Sequence, residues 1–316
     1  MSSVLMSALF TESFTTAMVV GGVVAGVALM LTALGETISE RAGVLNIGLE
    51  GMMLFGAYFG FVAAFRLHSL WLGYGAGVLG GEIGAVLMIV LCVRLGLDQI
   101  VVGIAITLAG EGITSVLQTA EFNSSYPRLN AVPTISIPLL DRLPVVGKSF
   151  FDQPLIVYFA VGLVVLTGVL FRRTRWGLNL RAAGEKPEAL DAAGVSVVAT
   201  RSYALLATGA LAGLGGAYLS IVATGTFTPF MTQGQGFMAI VIAMLARGRP
   251  IWVLFGSFLF GISLSISTAI QLAGINISPD VINMLPFAAI MIALVIFARR
   301  SYLPPALALP YVRGQR

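Results

Sequence analysis

Charge is what this sequence has least of. Asp, Glu, Lys and Arg make up 10% of its 316 residues, against 58% hydrophobic residues and a mean hydropathy of +0.96. A soluble domain carries about 25% charged residues, so a water-facing surface over most of the chain is excluded. Histidine and cysteine occur once each, as His68 and Cys92. That scarcity excludes a disulfide framework and a Cys/His metal centre. Cys92, inside an apolar run, reads as a small core hydrophobe. No cofactor or metal is implied. A basic segment is also missing ahead of the first apolar run, which has Glu12 near its start. The first segment is therefore expected to remain a membrane helix rather than be cleaved as a signal.

What is present is a series of apolar runs: Ser13 to Gly35, Ala42 to Phe65, Ser69 to Val93, Gln99 to Ala120, Gln153 to Phe171, Ser202 to Ala246, Ile251 to Pro279 and Val281 to Ala298. Each is long enough for a crossing, which takes roughly 20 apolar residues. The run Ser202 to Ala246 is too long for one helix, and Thr224-Gly225-Thr226, Pro229 and Gln233-Gly234-Gln235-Gly236 break it, so it reads as two. The fold class is an all-α polytopic membrane protein, one transmembrane domain over 1–316, with about nine crossings (8–10) and some broken helices. Cytoplasmic loops collect Lys and Arg. Nine crossings with the loop 172–201 inside leave only Arg66, Arg128, Arg142 and Lys148 outside, out of 18 basic residues. The N-terminus is then outside and the C-terminus cytoplasmic. The net charge of +4 reports this topology, and no nucleic-acid partner is needed to explain it.

Two polar loops stand out. The segment 121–152, placed outside, holds Pro127, Pro133, Pro138 and Pro144, an alternating stretch Val132 to Leu140 and the sequon Asn123-Ser124-Ser125. Loops of this length are usually functional or disordered; the functional reading is a gate or a docking surface for an extracellular binding protein. Gly147-Lys148-Ser149 within it imitates the end of a phosphate-binding loop, but position 142, where the first glycine belongs, is Arg142. Nucleotide chemistry must therefore come from another polypeptide. The segment 172–201 is the cytoplasmic insert, RRTRWGLNLRAAGEKPEALDAAGVSVVATR. Pro187 suits a first helical turn, Glu185, Glu188 and Asp191 favour the N-terminal half, and Gly194 suits a terminator. A short helix from about Pro187 to Ala193 is expected, with Ala189, Ala192 and Ala193 as a small face. Arg172, Arg173, Arg175 and Arg181 would hold the loop at lipid headgroups.

Inside the apolar runs, Glu50, Glu82 and Glu111 lie at membrane depth, where an ionisable group is a functional hypothesis by default. Asn46 and Glu50 are four apart, so on a helix they share a face. Glycines at small-xxx-small spacing, Gly22/Gly26, Gly56/Gly60, Gly73/Gly77/Gly81 and Gly209/Gly213, read as helix-packing grooves.

The stretch ERAGVLNIGLEGMMLFGAY resembles the signature of permeases of bacterial ABC importers for nucleosides and simple sugars, relatives of the branched-chain amino acid permeases. The insert 172–201, the helix Gly209 to Tyr218 and the segment from Gly234-Gln235-Gly236-Phe237 to Arg247-Gly248-Arg249-Pro250 agree, and within the family the shorter of two nucleoside-importer permeases is most similar. The resemblance implies a bacterial plasma-membrane permease that pairs with a second permease, draws on a cytoplasmic ABC ATPase and takes substrate from an extracytoplasmic lipoprotein. It is itself no enzyme. On this reading Pro187, Glu188, Ala189, Asp191, Ala192, Ala193 and Gly194 form the coupling contact, although Gly194 following Ala193 directly departs from the family's Ala-Ala-x-x-x-Gly theme. Asn46, Glu50, Tyr58, Phe227, Phe230, Gln233, Gln235 and Phe237, beside the expected breaks, are candidates for the translocation path. Nucleoside is the substrate implied; simple sugars and branched-chain amino acids stay open. An ion-coupled carrier using Glu50, Glu82 or Glu111 is the rival class.

Overall fold

The structure is a computed structural model in which residues 12–123, 125–136, 138, 146–272, 278, 281, 284–297 and 303–311 are described. Arg142, Arg299, Arg300, Arg313 and Arg316 of the charge bias, and Ser124 of the sequon, lie outside the described residues.

Backbone amides have no water to bond in hydrocarbon, so the apolar runs become helices. In order these are α1 (Glu12–Arg41), α2 (Leu49–Leu67), α3 (Leu70–Met88), α4 (Gln99–Phe122), α5 (Val146–Phe151), α6 (Leu155–Arg173), α7 (Arg175–Glu185), α8 (Pro187–Ala192), α9 (Val197–Tyr218), α10 (Gln235–Ala246), α11 (Pro250–Leu272) and α12 (Leu285–Phe297). Short polar side chains begin several of them: Asp98 accepts from the amides of Ile100 and Val101, and Ser196 accepts from that of Ala199. Helices α3 and α9 each continue into a π-helical turn, Ile89–Arg94 and Leu219–Ala223.

Seven described helices are long and apolar enough to cross a membrane: those covering Thr15–Arg41, Leu49–Leu67, Leu70–Arg94, Gln99–Phe122, Leu155–Arg173, Val197–Ala223 and Pro250–Ile270. The nine crossings expected from the runs differ from this at two places. Helix α10 has 12 residues, about 18 Å at 1.5 Å per residue, and α12 has 13. Helix α10, bounded at both ends by described non-helical chain, falls short of a hydrocarbon core of about 30 Å; the 13 residues of α12 run to the edge of the described residues. The chain after α9 leaves helical conformation from Thr224 to Gly234, at the breaks expected from Thr224-Gly225-Thr226, Pro229 and Gln233–Gly236.

The core is built on α9, which packs against α1, α2 and α3, with α2 along α3, α11 along α1 and α4 along α2. Glycine permits this closeness. A Cβ placed on Gly81 of α3 would lie 2.7 Å from the Cα of Gly213 on α9, a separation that real side chains do not adopt. The expected glycine grooves are thus helix contacts, held by dispersion over closely spaced backbones.

The two polar loops carry more structure than a connector. In 121–152, β1 (Thr134–Ser136) pairs antiparallel with β2 (Asp152–Pro154), and α5 packs on α1. The amide of Leu129 donates to the carbonyl of Gly225, tying this loop to the break after α9 at 2.8 Å. In 172–201 the helix Pro187–Ala192 is accompanied by α7, which the sequence did not reveal. Its buried face is Gly177, Leu180, Ala183 and Gly184, at helical spacing but too poor in large apolar residues to register as a stripe. At this end of the bundle Arg41, Arg172, Arg181, Arg247 and Arg249 line one hollow, which gathers the ends of α1, α6 and α10 and the start of α11. Arg66 and Glu121 pair at the far ends of α2 and α4.

Candidate functional site

Helix α10 starts inside the bundle rather than at its surface, which poses a chemical problem. The first amides of any helix lack intrahelical acceptors. The acceptor comes from another helix. Glu50, in the first turn of α2 and 3% exposed, takes three hydrogen bonds from the segment that leads into α10. Its Oε1 accepts from Thr232 Oγ1 at 2.5 Å and from the amide of Gly234 at 2.7 Å; its Oε2 accepts from the amide of Gly236 at 2.6 Å. A carboxylate at the positive end of a helix is doubly favoured, by direct bonds and by the helix dipole. The fit is close enough to require glycine: a Cβ at Gly236 would sit 2.5 Å from the backbone nitrogen of Glu50.

The chain that delivers these donors is strained. Phe230 (φ 60°) and Gln233 (φ 47°) both occupy the left-handed region, unusual for residues with side chains. Such conformations cost roughly 1–3 kcal/mol each and persist where surrounding contacts impose them. Phe230, Gln233 and Phe237 are exposed, while Gln235 is half-buried with its Oε1 lacking a partner among the described residues. Within the break, Phe227 is fully buried and meets the ring of Tyr58 edge-on at 5.3 Å, and Phe59 meets Tyr58 edge-on at 5.4 Å.

Asn46 corrects the expectation drawn from its spacing. It precedes α2 instead of sharing a helix face with Glu50, because Ala42 to Gly48 runs as turns and extended chain. Its side chain folds that entry segment: Oδ1 accepts from the amide of Gly48, Nδ2 contacts the sulfur of Met52, and its own amide donates to Glu36 Oε1. Glu82 and Glu111 are half-buried and belong to neither cluster.

Sequence reasoning missed two buried groups. Glu36, fully buried on α1, also accepts from Ser39 Oγ; the Glu-x-x-Ser spacing in GETISER was the available signal. Arg201, 3% exposed at the start of α9, directs its guanidinium to the carbonyls of Ala42, Ala183, Ala306 and Leu309. It binds the entry to α2, helix α7 and the segment 303–311 into one unit, and nothing in its local sequence announces that. In the insert, Pro187 and Leu190 are buried, whereas Glu188, Ala189, Ala192, Ala193 and Gly194 are exposed. Gly194, at φ 80°, ends α8 as its left-handed terminator.

Residues 12–295 match the family model described as the permease component of branched-chain amino acid transport systems. The chain belongs to this permease family. Among its relatives are NupC, a nucleoside ABC transporter permease of Lactococcus lactis, 32% identical over 91% of this chain and 94% of that one. NupQ, a guanosine ABC transporter permease of Bacillus subtilis, is 30% identical over the same shares. TsgC13 of Haloferax volcanii, named as a candidate glucose ABC transporter permease, is 35% identical over 85% of this chain and 82% of its own. The permease is thus an ABC transporter component and a multi-pass protein of the inner membrane, and its relatives are permease subunits rather than enzymes. A second nucleoside ABC transporter permease of Lactococcus lactis, NupB, is also among the relatives, 25% identical over 89% of this chain and 80% of that one.

Proposed function

We propose that this permease forms one half of the translocation path of an ATP-driven nucleoside importer, alternating between inward- and outward-open states with a second, non-identical permease. The observation that carries the reading is the Glu50 clamp. A half-length helix, entered through a strained break and held by one carboxylate, is the element to which we assign the switch between those states. Phe230, Gln233 and Phe237, exposed on the same segment, would face the substrate: rings for a base, amides for ribose hydroxyls. Tyr58, Phe227 and Gln235 would back them, and Asn46 would act by shaping the entry to α2.

The exposed face Glu188, Ala189, Ala192, Ala193 and Gly194, seated on buried Pro187 and Leu190, is the contact we assign to a cytoplasmic ATPase, with Asp191 at its edge. Small side chains leave a shallow surface that a groove can cover, and the arginines gathered at that end support its cytoplasmic placement with the N-terminus outside. The loop 121–152, with its bond to Gly225, is the surface we assign to an extracytoplasmic lipoprotein. The nucleoside assignment rests on NupC and NupQ; TsgC13 supports glucose as the second reading.

Reconstitution with a partner permease, ATPase and binding lipoprotein tests this. Labelled nucleoside should accumulate with ATP and not without it, and unlabelled nucleoside should compete where glucose does not. Competition by glucose alone would transfer the assignment to sugar. Uptake that is lost on collapsing the proton gradient at constant ATP would overturn the ATP-driven mechanism.

A further inference from the structure

We propose that the groove between the end of α6 and the start of α11 binds an anionic phospholipid, with the phosphate on arginines and an acyl chain along the helices. Arg172 and Arg173 close the last turn of α6, and Arg249 immediately precedes α11. These three line one groove with Val164, Val165, Val169 and Ile251. The groove shares Gly168, Arg172, Arg249 and Pro250 with a neighbouring hollow of about 340 Å3 that Arg41, Arg181 and Arg247 also line. The adjoining depressions are thus cationic at one end and aliphatic along α6, which is the charge and polarity pattern of a lipid.

Several observations narrow the occupant to lipid. Both helices are long and apolar enough to span the membrane, and Val165, at 62% exposure, and Val169, at 50%, project from α6 into the surroundings. Trp252, exposed on the first turn of α11, stands where aromatic side chains mark the membrane–water boundary. Among the described residues no carboxylate lies within ion-pair distance of Arg172, Arg173 or Arg249. Of the two carboxylates in the adjoining hollow, Glu185 is held by Arg181 at 2.9 Å and Glu40 is buried. Guanidinium groups match phosphate oxygens with paired N–H donors, and basic pockets between membrane helices take anionic headgroups. A soluble anion would use the arginines and leave the aliphatic groove empty.

The test is native mass spectrometry of the full-length chain released from nanodiscs of phosphatidylcholine with and without phosphatidylglycerol. Phosphatidylglycerol should be retained in preference to phosphatidylcholine. Replacing Arg172, Arg173 and Arg249 together by Gln should weaken that retention on the order of 100-fold, from about 1 kcal/mol per cationic side chain near an anionic lipid. Val165→Trp, which fills the groove and keeps every charge, should also reduce retention. Equal retention of the two lipids by the unaltered chain overturns the proposal even if the triple variant fails to fold. So does displacement of the lipid by inorganic phosphate with no effect of Val165→Trp, which would make the site a free-anion site. If the assembled transporter retains no phosphatidylglycerol that the isolated chain retains, the groove is a subunit contact and the proposal falls.

Discussion

Replacing Glu50 by Gln changes shape least and chemistry most. In the folded permease the carboxylate serves three donors with two oxygens, Thr232 Oγ1 and Gly234 N–H on one and Gly236 N–H on the other. A glutamine retains one oxygen, so it can keep the first pair. Its amide nitrogen then faces the N–H of Gly236, donor against donor. At least one hydrogen bond to a charged acceptor is lost, worth roughly 1.5–3 kcal/mol, and a buried N–H is orphaned at about 1–3 kcal/mol. The terms overlap, so the net effect is about 2–4 kcal/mol on the anchoring of α10. Rotating the amide to satisfy Gly236 moves the same conflict to Gly234. Glu50→Ala removes all three acceptors and should cost more, whereas Glu50→Asp keeps the charge but shortens the reach. Proteolysis of the purified permease in nanodiscs, read at residues 224–236, should accelerate in the order wild type, Gln, Ala, and nucleoside uptake by the reconstituted transporter should fall in the same order. Wild-type proteolysis and uptake in Glu50→Gln would refute the reasoning, because it would mean the carboxylate's charge and second oxygen are dispensable.

Ala193→Arg, on the exposed face of the short insert helix, should abolish uptake and uncouple substrate-stimulated ATP hydrolysis while membrane insertion and thermal stability stay at wild-type levels; retained transport would remove the coupling assignment. Gly213→Leu, at the contact of α9 with α3, should destabilise by more than about 3 kcal/mol, above the ordinary cost of overpacking, since backbone rather than flexible side chain fills the space; recovery of a monodisperse, wild-type-stable protein would contradict the packing. Arg201→Ala should lower stability by about 3 kcal/mol through four carbonyls losing a charged donor, and Arg201→Lys should rescue it only in part, because an ammonium cannot span them. Thermal denaturation of both variants checks this.

Legibility followed physical scale. The helices over the apolar runs were readable because lipid leaves the backbone no alternative, and the glycine spacings were readable because close helix approach needs a residue without a Cβ. Thr224 to Gly236 was readable as a break from its Gly, Pro and Thr content. What remains of that run before Arg247 is short, and α10 accordingly has 12 residues, starting at Gln235 inside the stretch read as the break. Helix α7 escaped because burial of Gly177, Ala183 and Gly184 leaves little hydropathic trace. Glu50 was singled out for its cost in lipid, and its partners at the entry to α10 lie more than 180 positions away, a separation that spacing rules cannot bridge. The same applies to Asn46: four residues from Glu50 predicted a shared helix face, but the Gly43 turn delays the helix until Leu49.

The bond between Leu129 and Gly225 joins the polar loop after α4 to the break that precedes α10. Mechanically, it is a tether at one end of a lever whose other end is pinned by Glu50. A shift of the loop must either stretch that bond or draw the chain around Gly225 with it. Whatever grips the loop therefore also leans on the carboxylate at the foot of α2, without touching it.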